Sequence, residues 1–353
     1  MSRRRWIYGS AVVVVAVLAV AAALTLPGKL ADRDRPLVAA AWLPVWDERA
    51  AESLRPALDV GGVTEVSPTW ATVGLDGELV VTPPTAEVLD RLEAAGARLL
   101  PTVQNFADGS WQGELVAELL RDPARELAHR EALVDLALAN DWDGIDIDYE
   151  ALPPTAGPQF IDFLTALGAD LDEHGLDLTV AVPARSADED PGTLAYSYQL
   201  LGRVADQVRV MTYDHSWSTS DAGPVAPLDW VSSVIDYAVE RVPADKLMLG
   251  LPTYGYDWVG TRGEVIGAAE AAALAAEVGA EPAWYEGAAS RTFSYVRDGE
   301  QHTVWYEDAR SLQAAQDLAV EAGLRGVAIW QLGGEDPDVW PALAAVTGGG
   351  NPS

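Results

Sequence analysis

Between positions 143 and 150 the chain reads Asp-Gly-Ile-Asp-Ile-Asp-Tyr-Glu, alternating carboxylic acids with large apolar side chains. In a strand, where side chains alternate with a period of two, Asp146, Asp148 and Glu150 share one face while Ile145, Ile147 and Tyr149 share the other. Successive acids stand roughly 7 Å apart, near enough that a sheltered site disfavours full ionisation and retains at least one proton. Coupled carboxyls with a proton to give are suited to general acid catalysis. A purely structural role is disfavoured, because a buried carboxylate is costly unless it shares protons or hydrogen bonds. Calcium or magnesium binding is disfavoured too: the spacing lacks the glycine that turns a calcium loop, and an extended strand cannot wrap three ligands around one ion. His129, His174, His215 and His302 show no ligand spacing, and neither a phosphate loop nor a nucleophile elbow is legible. Neither a metal nor a cofactor is expected.

Such a row needs a scaffold that turns it toward a cavity. Candidate strands run over Leu37 to Val45, Val63 to Trp70, Arg98 to Gln104, Gly144 to Tyr149, Leu176 to Val182, Gln207 to Tyr213, Lys246 to Pro252 and Gly326 to Gln331. Helical spacing fills the intervals: Glu48 to Leu58, Thr85 to Ala95, Gly113 to Asn140 with a break near Pro123, Pro158 to His174, Pro191 to Val204, Leu228 to Arg241 and Ser311 to Ala322, with Asp338 to Ala345 last. Strict strand-helix alternation implies a parallel sheet, and eight units imply an α/β fold of the closed (β/α)8 TIM-barrel type, a doubly wound open sheet being the second choice. The long connection between strands seven and eight carries an insertion: a helix near Ala268 to Val278 and a hairpin turning at Asp298-Gly299, with a smaller hairpin at Asp76-Gly77 after strand two.

The chain has 353 residues, 49% of them hydrophobic, enough for one large barrel. A net charge of -31 repels nucleic acid and anionic lipid, so nucleic acid is excluded as a partner. The absence of cysteine rules out disulfides, thiolate metal sites and a cysteine nucleophile. Arg3, Arg4 and Arg5 precede an uncharged stretch from Trp6 to Gly28, which reads as a cleaved signal or an N-terminal membrane anchor. The expected organisation is a targeting segment over 1–30, a barrel over 36–346 and a disordered tail over 347–353, working as a monomer outside the cytoplasm.

Barrel enzymes carry their chemistry at the carboxyl ends of the strands. Strand four ends in Asp146, Asp148 and Glu150, strand six in Met211-Thr212-Tyr213-Asp214, and strand eight in Trp330-Gln331, while Trp70, Asn105, Tyr254 and Trp258 lie at or just past other strand ends. Here the segment 143–150 resembles the D-x-x-D-x-D-x-E signature of glycoside hydrolase family 18, with Asp143, Asp146, Asp148 and Glu150 in its four places. Met211-Thr212-Tyr213-Asp214 is similar to the family's strand-six motif, and Trp330 stands where the family has the indole floor of its sugar subsite. The stretches 251–258 and 304–311 resemble the bacterial spore-cortex-lytic and related cell-wall branch.

The resemblance implies a retaining hydrolase of β-1,4-linked N-acetylglucosamine glycans, chitin or the peptidoglycan backbone. Acids on one strand face approach the sugar from one side, so that strand cannot supply both acid and opposed nucleophile. The family's solution is substrate assistance, in which the sugar's own acetamido oxygen attacks the anomeric carbon. Glu150 would then be general acid and base, Asp148 would orient the acetamido group with Asp146 sharing its proton, and Tyr213 would donate to the acetamido oxygen. Asp143, Met211, Asp214, Trp330, Trp70, Asn105, Tyr254, Trp258 and Gln331 are the candidate sugar contacts. The alternative is a non-catalytic, lectin-like barrel, which retention of Glu150 disfavours. An insertion of one helix and one hairpin is smaller than the one that deepens chitinase clefts, which favours peptidoglycan or short oligosaccharides; endo and exo action both stay open.

Overall fold

In the computed structural model, which describes residues 36–190 and 192–347, eight parallel strands close on themselves. They are β1 (Val38–Leu43), β2 (Val63–Val73), β3 (Thr102–Gln104), β4 (Gly144–Asp148), β5 (Asp177–Pro183), β6 (Gln207–Met211), β7 (Leu247–Pro252) and β8 (Gly326–Trp330). Each hydrogen-bonds to its neighbours in chain order, and β8 pairs with β1 from Val38↔Gly326 to Ala41↔Ile329, which completes the (β/α)8 barrel. The segment preceding Glu150 therefore holds its acids inward. Register sets Asp146 level with Thr102 on β3 and Thr179 on β5.

The opposite face of β4 is apolar and packs beneath the helices. Ile145 and Ile147 are fully buried, and Tyr149 stacks on Phe163 of the helix Gly157–Asp172 while its hydroxyl lies 2.6 Å from His129 Nε2. At roughly 25 cal/mol per Å² of apolar surface removed from water, this sandwich of sheet and helices supplies the main force fixing the strand's facing. Turning the strand over would bury three acids among these helices and expose the isoleucines.

Most predicted elements appear where the periodicity puts them, and the departures have local causes. The third strand is interrupted at Leu100-Pro101, because proline has no N–H for the ladder. The break predicted near Pro123 is present, dividing Gly113–Arg121 from Pro123–Ala139; Asp122 ends the first helix and caps the second by accepting from Ala124 and Arg125 N–H. The helix predicted from Pro191 covers only Tyr198–Val204.

The rim insertion is larger than one helix and one hairpin. Strands Tyr254–Val259, Arg262–Gly267, Ala283–Tyr285, Ser290–Arg297 and Glu300–Tyr306 form a five-stranded antiparallel sheet, backed by the helix Ala268–Val278. Its hairpin does turn at Asp298-Gly299, where both residues have positive φ. An insertion of five strands and a helix does not favour peptidoglycan or short oligosaccharides over chitin. Among the described residues no helix is long and apolar enough to cross a membrane. The targeting segment expected over 1–30 and all but the first residue of the tail expected over 347–353 lie outside the described residues.

Candidate active site

Asp146 and Asp148 point into the barrel from β4, and Glu150 follows two residues after the strand ends. Asn105, fully buried just past β3, clamps the backbone of Glu150 on both sides: its Nδ2 donates to the Glu150 carbonyl at 2.9 Å, and the Glu150 N–H donates to its Oδ1 at 2.8 Å. Ala151 then adopts a left-handed φ of 55°, and Gly113 comes so close that a Cβ there would overlap the Ala151 carbonyl. The acid is thus held by backbone contacts on two sides. Replacing Asn105 by Ala is expected to lower kcat by about 10- to 100-fold with little change in KM, as displacement of a reacting group by about 1 Å does; initial rates on chitooligosaccharides check it.

A cavity of about 510 Å³ opens above β4 and is lined by Asp148, Glu150, Met211, Tyr213, Asp214 and Trp330 together with Trp42, Trp111, Asp190, His215, Trp217 and Trp230. Among the described residues no lysine or arginine lines it. Trp330 meets Trp42 edge to face at 6.0 Å, so two indoles form one wall. Asp214, itself at a φ of 56°, accepts from Tyr254 Oη at 2.6 Å and Tyr256 Oη at 3.0 Å.

Burial dominates the electrostatics. It pushes Glu150 up to about 7, helped by the Asp214 carboxylate. It also drives Asp148 well above the usual carboxylate range, reinforced by Glu150 and Asp146, and Asp148 Oδ1 has no hydrogen-bond partner among the described residues. Asp214 rises for the same reason, against the two tyrosine hydroxyls that favour its charged form. Desolvation and the surrounding carboxylates keep the Tyr213 phenol protonated as a donor. Asp146 stands apart. Its Oδ2 accepts from Trp42 Nε1 at 2.8 Å and Thr102 Oγ1 at 2.9 Å, its Oδ1 from Thr179 Oγ1 at 2.6 Å, and Arg209 Nη1 lies 3.5 Å from it. The Asp146 carboxyl thus meets three donors and a guanidinium, and among the described residues no hydrogen bond joins it to Asp148.

Several predicted sugar contacts lie elsewhere. Asp143 precedes β4, and its Oδ2 accepts from Leu99 N–H at 2.7 Å, at the barrel's amino end and away from the cavity. Trp70 is buried against Trp142 in the core. Trp258 is also buried, holding the loop of Trp217 through Nε1 to its carbonyl at 3.2 Å. Asn105 and Tyr254 support Glu150 and Asp214 rather than line the cavity, and Gln331 is tied through its backbone to Thr253. Trp42, Trp111, Asp190, His215, Trp217, Trp230 and the Asp214 partner Tyr256 were not singled out by motif. A third Asp-Gly, Asp108-Gly109, turns the hairpin that carries Trp111, and its flanking Phe106 and Trp111 were a legible signal.

Residues 109–336 match the family described as glycosyl hydrolases family 18. The chain belongs to that family. Family-18 relatives include the uncharacterized glycosylase YvbX of Bacillus subtilis (strain 168), 29% identical over 76% of this chain and 80% of that protein. The cortical fragment-lytic enzyme of the same organism is 28% identical over 75% of this chain but only 64% of its own length. Among solved structures, a chitinase from Chromobacterium violaceum superposes with a TM-score of 0.82 at 31% identity, covering 90% of this chain and 100% of that one. This family-18 chain is a glycoside hydrolase, and its substrate is a glycan.

Proposed function

We propose that the protein is a retaining hydrolase of β-1,4-linked N-acetylglucosamine glycans, of the chitin or peptidoglycan type, working by substrate assistance. The observation that carries this reading is that the cavity holds an acid with raised proton affinity, Glu150, beside a second buried acid, Asp148, projected from the same strand. A nucleophilic carboxylate would have to approach from the opposite side of the anomeric carbon. The acid from another strand, Asp214, is occupied by two tyrosine hydroxyls and is poorly suited to attack.

In the proposed reaction the acetamido carbonyl oxygen bonds to the anomeric carbon as the glycosidic bond breaks, and the Glu150 proton passes to the leaving oxygen. Asp148 faces the positive charge that develops on the oxazolinium ring, and Tyr213 Oη donates to the acetamido oxygen. Water then attacks the same carbon, returns a proton to Glu150 and reopens the ring, giving net retention. Trp330 and Trp42 supply the apolar wall against which a pyranose ring stacks. The cortical fragment-lytic relative and the chitinase neighbour support the two glycan types. Such polymers lie outside the cytoplasm, in keeping with the basic and then uncharged N-terminal stretch.

The test compares chitooligosaccharides and purified sacculi with the same glycans after chemical removal of N-acetyl groups, products being read by mass. Turnover is expected to fall by at least about 10²-fold on the stripped glycans, since an attacking group positioned by binding is lost. Equal rates on both would refute substrate assistance.

A further inference from the structure

Glu307 is a buried acid that the proposed reaction does not use. It follows the insertion strand Glu300–Tyr306 and is only 2% exposed. Its Oε1 accepts from Ser290 Oγ at 2.8 Å and from Ala226 N–H at 3.3 Å, and its own N–H donates to the Tyr254 carbonyl at 3.2 Å. Ala226 belongs to the segment 212–227, which leaves β6 and brings Tyr213, Asp214, His215 and Trp217 to the cavity before the helix Leu228–Val239 begins. The insertion holds this segment along its length: Tyr254 and Tyr256 bond Asp214, Trp258 Nε1 donates to the Trp217 carbonyl, Gly263 N–H donates to the Ser218 carbonyl at 2.7 Å, and Glu307 takes the far end. Within the segment His215 N–H donates to the Val225 carbonyl at 2.9 Å, so the entering and returning limbs are tied together beside Asp214 and Ala226.

The structure assigns Glu307 as a positioning residue for Tyr213 and Asp214: it fixes the returning limb at Ala226, and the bond between His215 and Val225 passes that restraint to the limb that enters the cavity. A second arm runs from the Glu307 N–H through Tyr254, whose hydroxyl reaches Asp214 at 2.6 Å. Val225 is fully buried in one cluster with Tyr254, Tyr256 and Trp258, against which Tyr213 packs, so side-chain contacts carry the same restraint. The donors that meet at the Glu307 carboxyl come from three elements: Ala226 from the segment after β6, Ser290 from the strand Ser290–Arg297 and Ser311 from the helix Ala309–Glu321. Burial pushes Glu307 up to about 7 against these donors. Its Oε1 accepts in either protonation state, so the tie at Ala226 requires an acceptor of this reach and not a charge. Without it the Ala226 N–H must turn toward another acceptor, and the limb turns with it.

One arm of the test rests on the proposed reaction and the other does not. In hydrogen–deuterium exchange of the free protein read by mass, peptides covering 212–227 are expected to exchange about 10-fold faster in Glu307→Leu, while those covering β4 stay unchanged. On chitooligosaccharides the same variant is expected to lose about 10- to 100-fold in kcat, the result of displacing a reacting group by about 1 Å. KM should change little, because Trp217 and Ser218 keep their bonds to Trp258 and Gly263. Glu307→Gln keeps the acceptor and its reach and is expected to restore most of the loss. Glu307→Asp keeps the charge and shortens the reach; a loss comparable to that of Glu307→Leu is expected, and this variant decides the matter if Glu307→Leu does not fold. Combination with Tyr213→Phe separates positioning from stability: an effect exerted through Tyr213 largely disappears once its hydroxyl is gone, whereas a merely structural glutamate would lower the melting temperature and leave the two losses to multiply. Unchanged exchange over 212–227 in the folded variants, losses that multiply, or a glutamine variant as impaired as the leucine one overturns the proposal. Absence of hydrolysis in the parent would count against the functional reading and leave the exchange arm to decide.

Discussion

Replacing Glu150 by Gln is expected to lower kcat by about 10²- to 10⁴-fold, the usual contribution of a positioned general acid, while affinity for a chitooligosaccharide is retained. Glutamine keeps the volume and the backbone clamp from Asn105 but has no proton to give the leaving oxygen. The parent's pH dependence has a definite sign. Glu150 must be protonated to act, and its carboxyl is held up at about 7, so turnover on a substrate with a poor leaving group should be retained below that pH and fall as pH rises through it. A substrate with a good leaving group needs less protonation, and the variant should recover much of its first-step rate on an activated aryl glycoside. Isothermal titration and stopped-flow measurements on the same preparation separate these effects; undiminished turnover in the variant would remove Glu150 from the chemistry.

Asp148→Asn has the second-largest expected effect, about 10²- to 10³-fold in kcat, comparable to removing one stabilising group from a preorganised site. Asp148 sits in the cavity with its buried Oδ1 unpaired among the described residues, and it shares that cavity with Met211, Tyr213 and the two indoles. It faces the point where the proposed oxazolinium carries positive charge, so the loss should fall on kcat and spare KM, because the neutral ground-state sugar gains little from the carboxylate. The protein itself should be more stable, since a buried acid lacking a hydrogen-bond partner is replaced by a neutral amide. A variant that instead binds poorly and turns over normally would show that Asp148 only shapes the pocket.

The barrel and its catalytic strand were legible because their signal is local. Alternation over 144–150 assigns each side chain a face, and the structure holds those faces with Asp146 and Asp148 inward and Ile145 and Ile147 outward. Asp143 shows the limit of a motif match: it lies an odd number of residues before Asp146, on the other face, and at the wrong end of the strand to meet a sugar. Trp42 was hidden for a different reason. In a parallel strand covered on both sides, such as Ala39-Ala40-Ala41-Trp42, polarity does not mark which face is inner. The bonds from Tyr254 and Tyr256 to Asp214 join residues 40 and 42 positions apart on different elements, and no periodicity carries that information.

The sheet formed within residues 254–306 has a thermodynamic consequence for the cavity it backs. A pocket edge made of hairpin loops would have to be ordered by each arriving chain, and the lost backbone freedom would subtract from affinity. Here a hydrogen-bonded sheet stands behind the cavity, its Tyr254, Tyr256 and Trp258 clustered with Tyr213 and Trp330, so the aromatic faces that line the cavity are held before a glycan arrives. On the proposed reading, the grip on a sugar is then set by how readily water leaves the indole faces rather than by folding of the host.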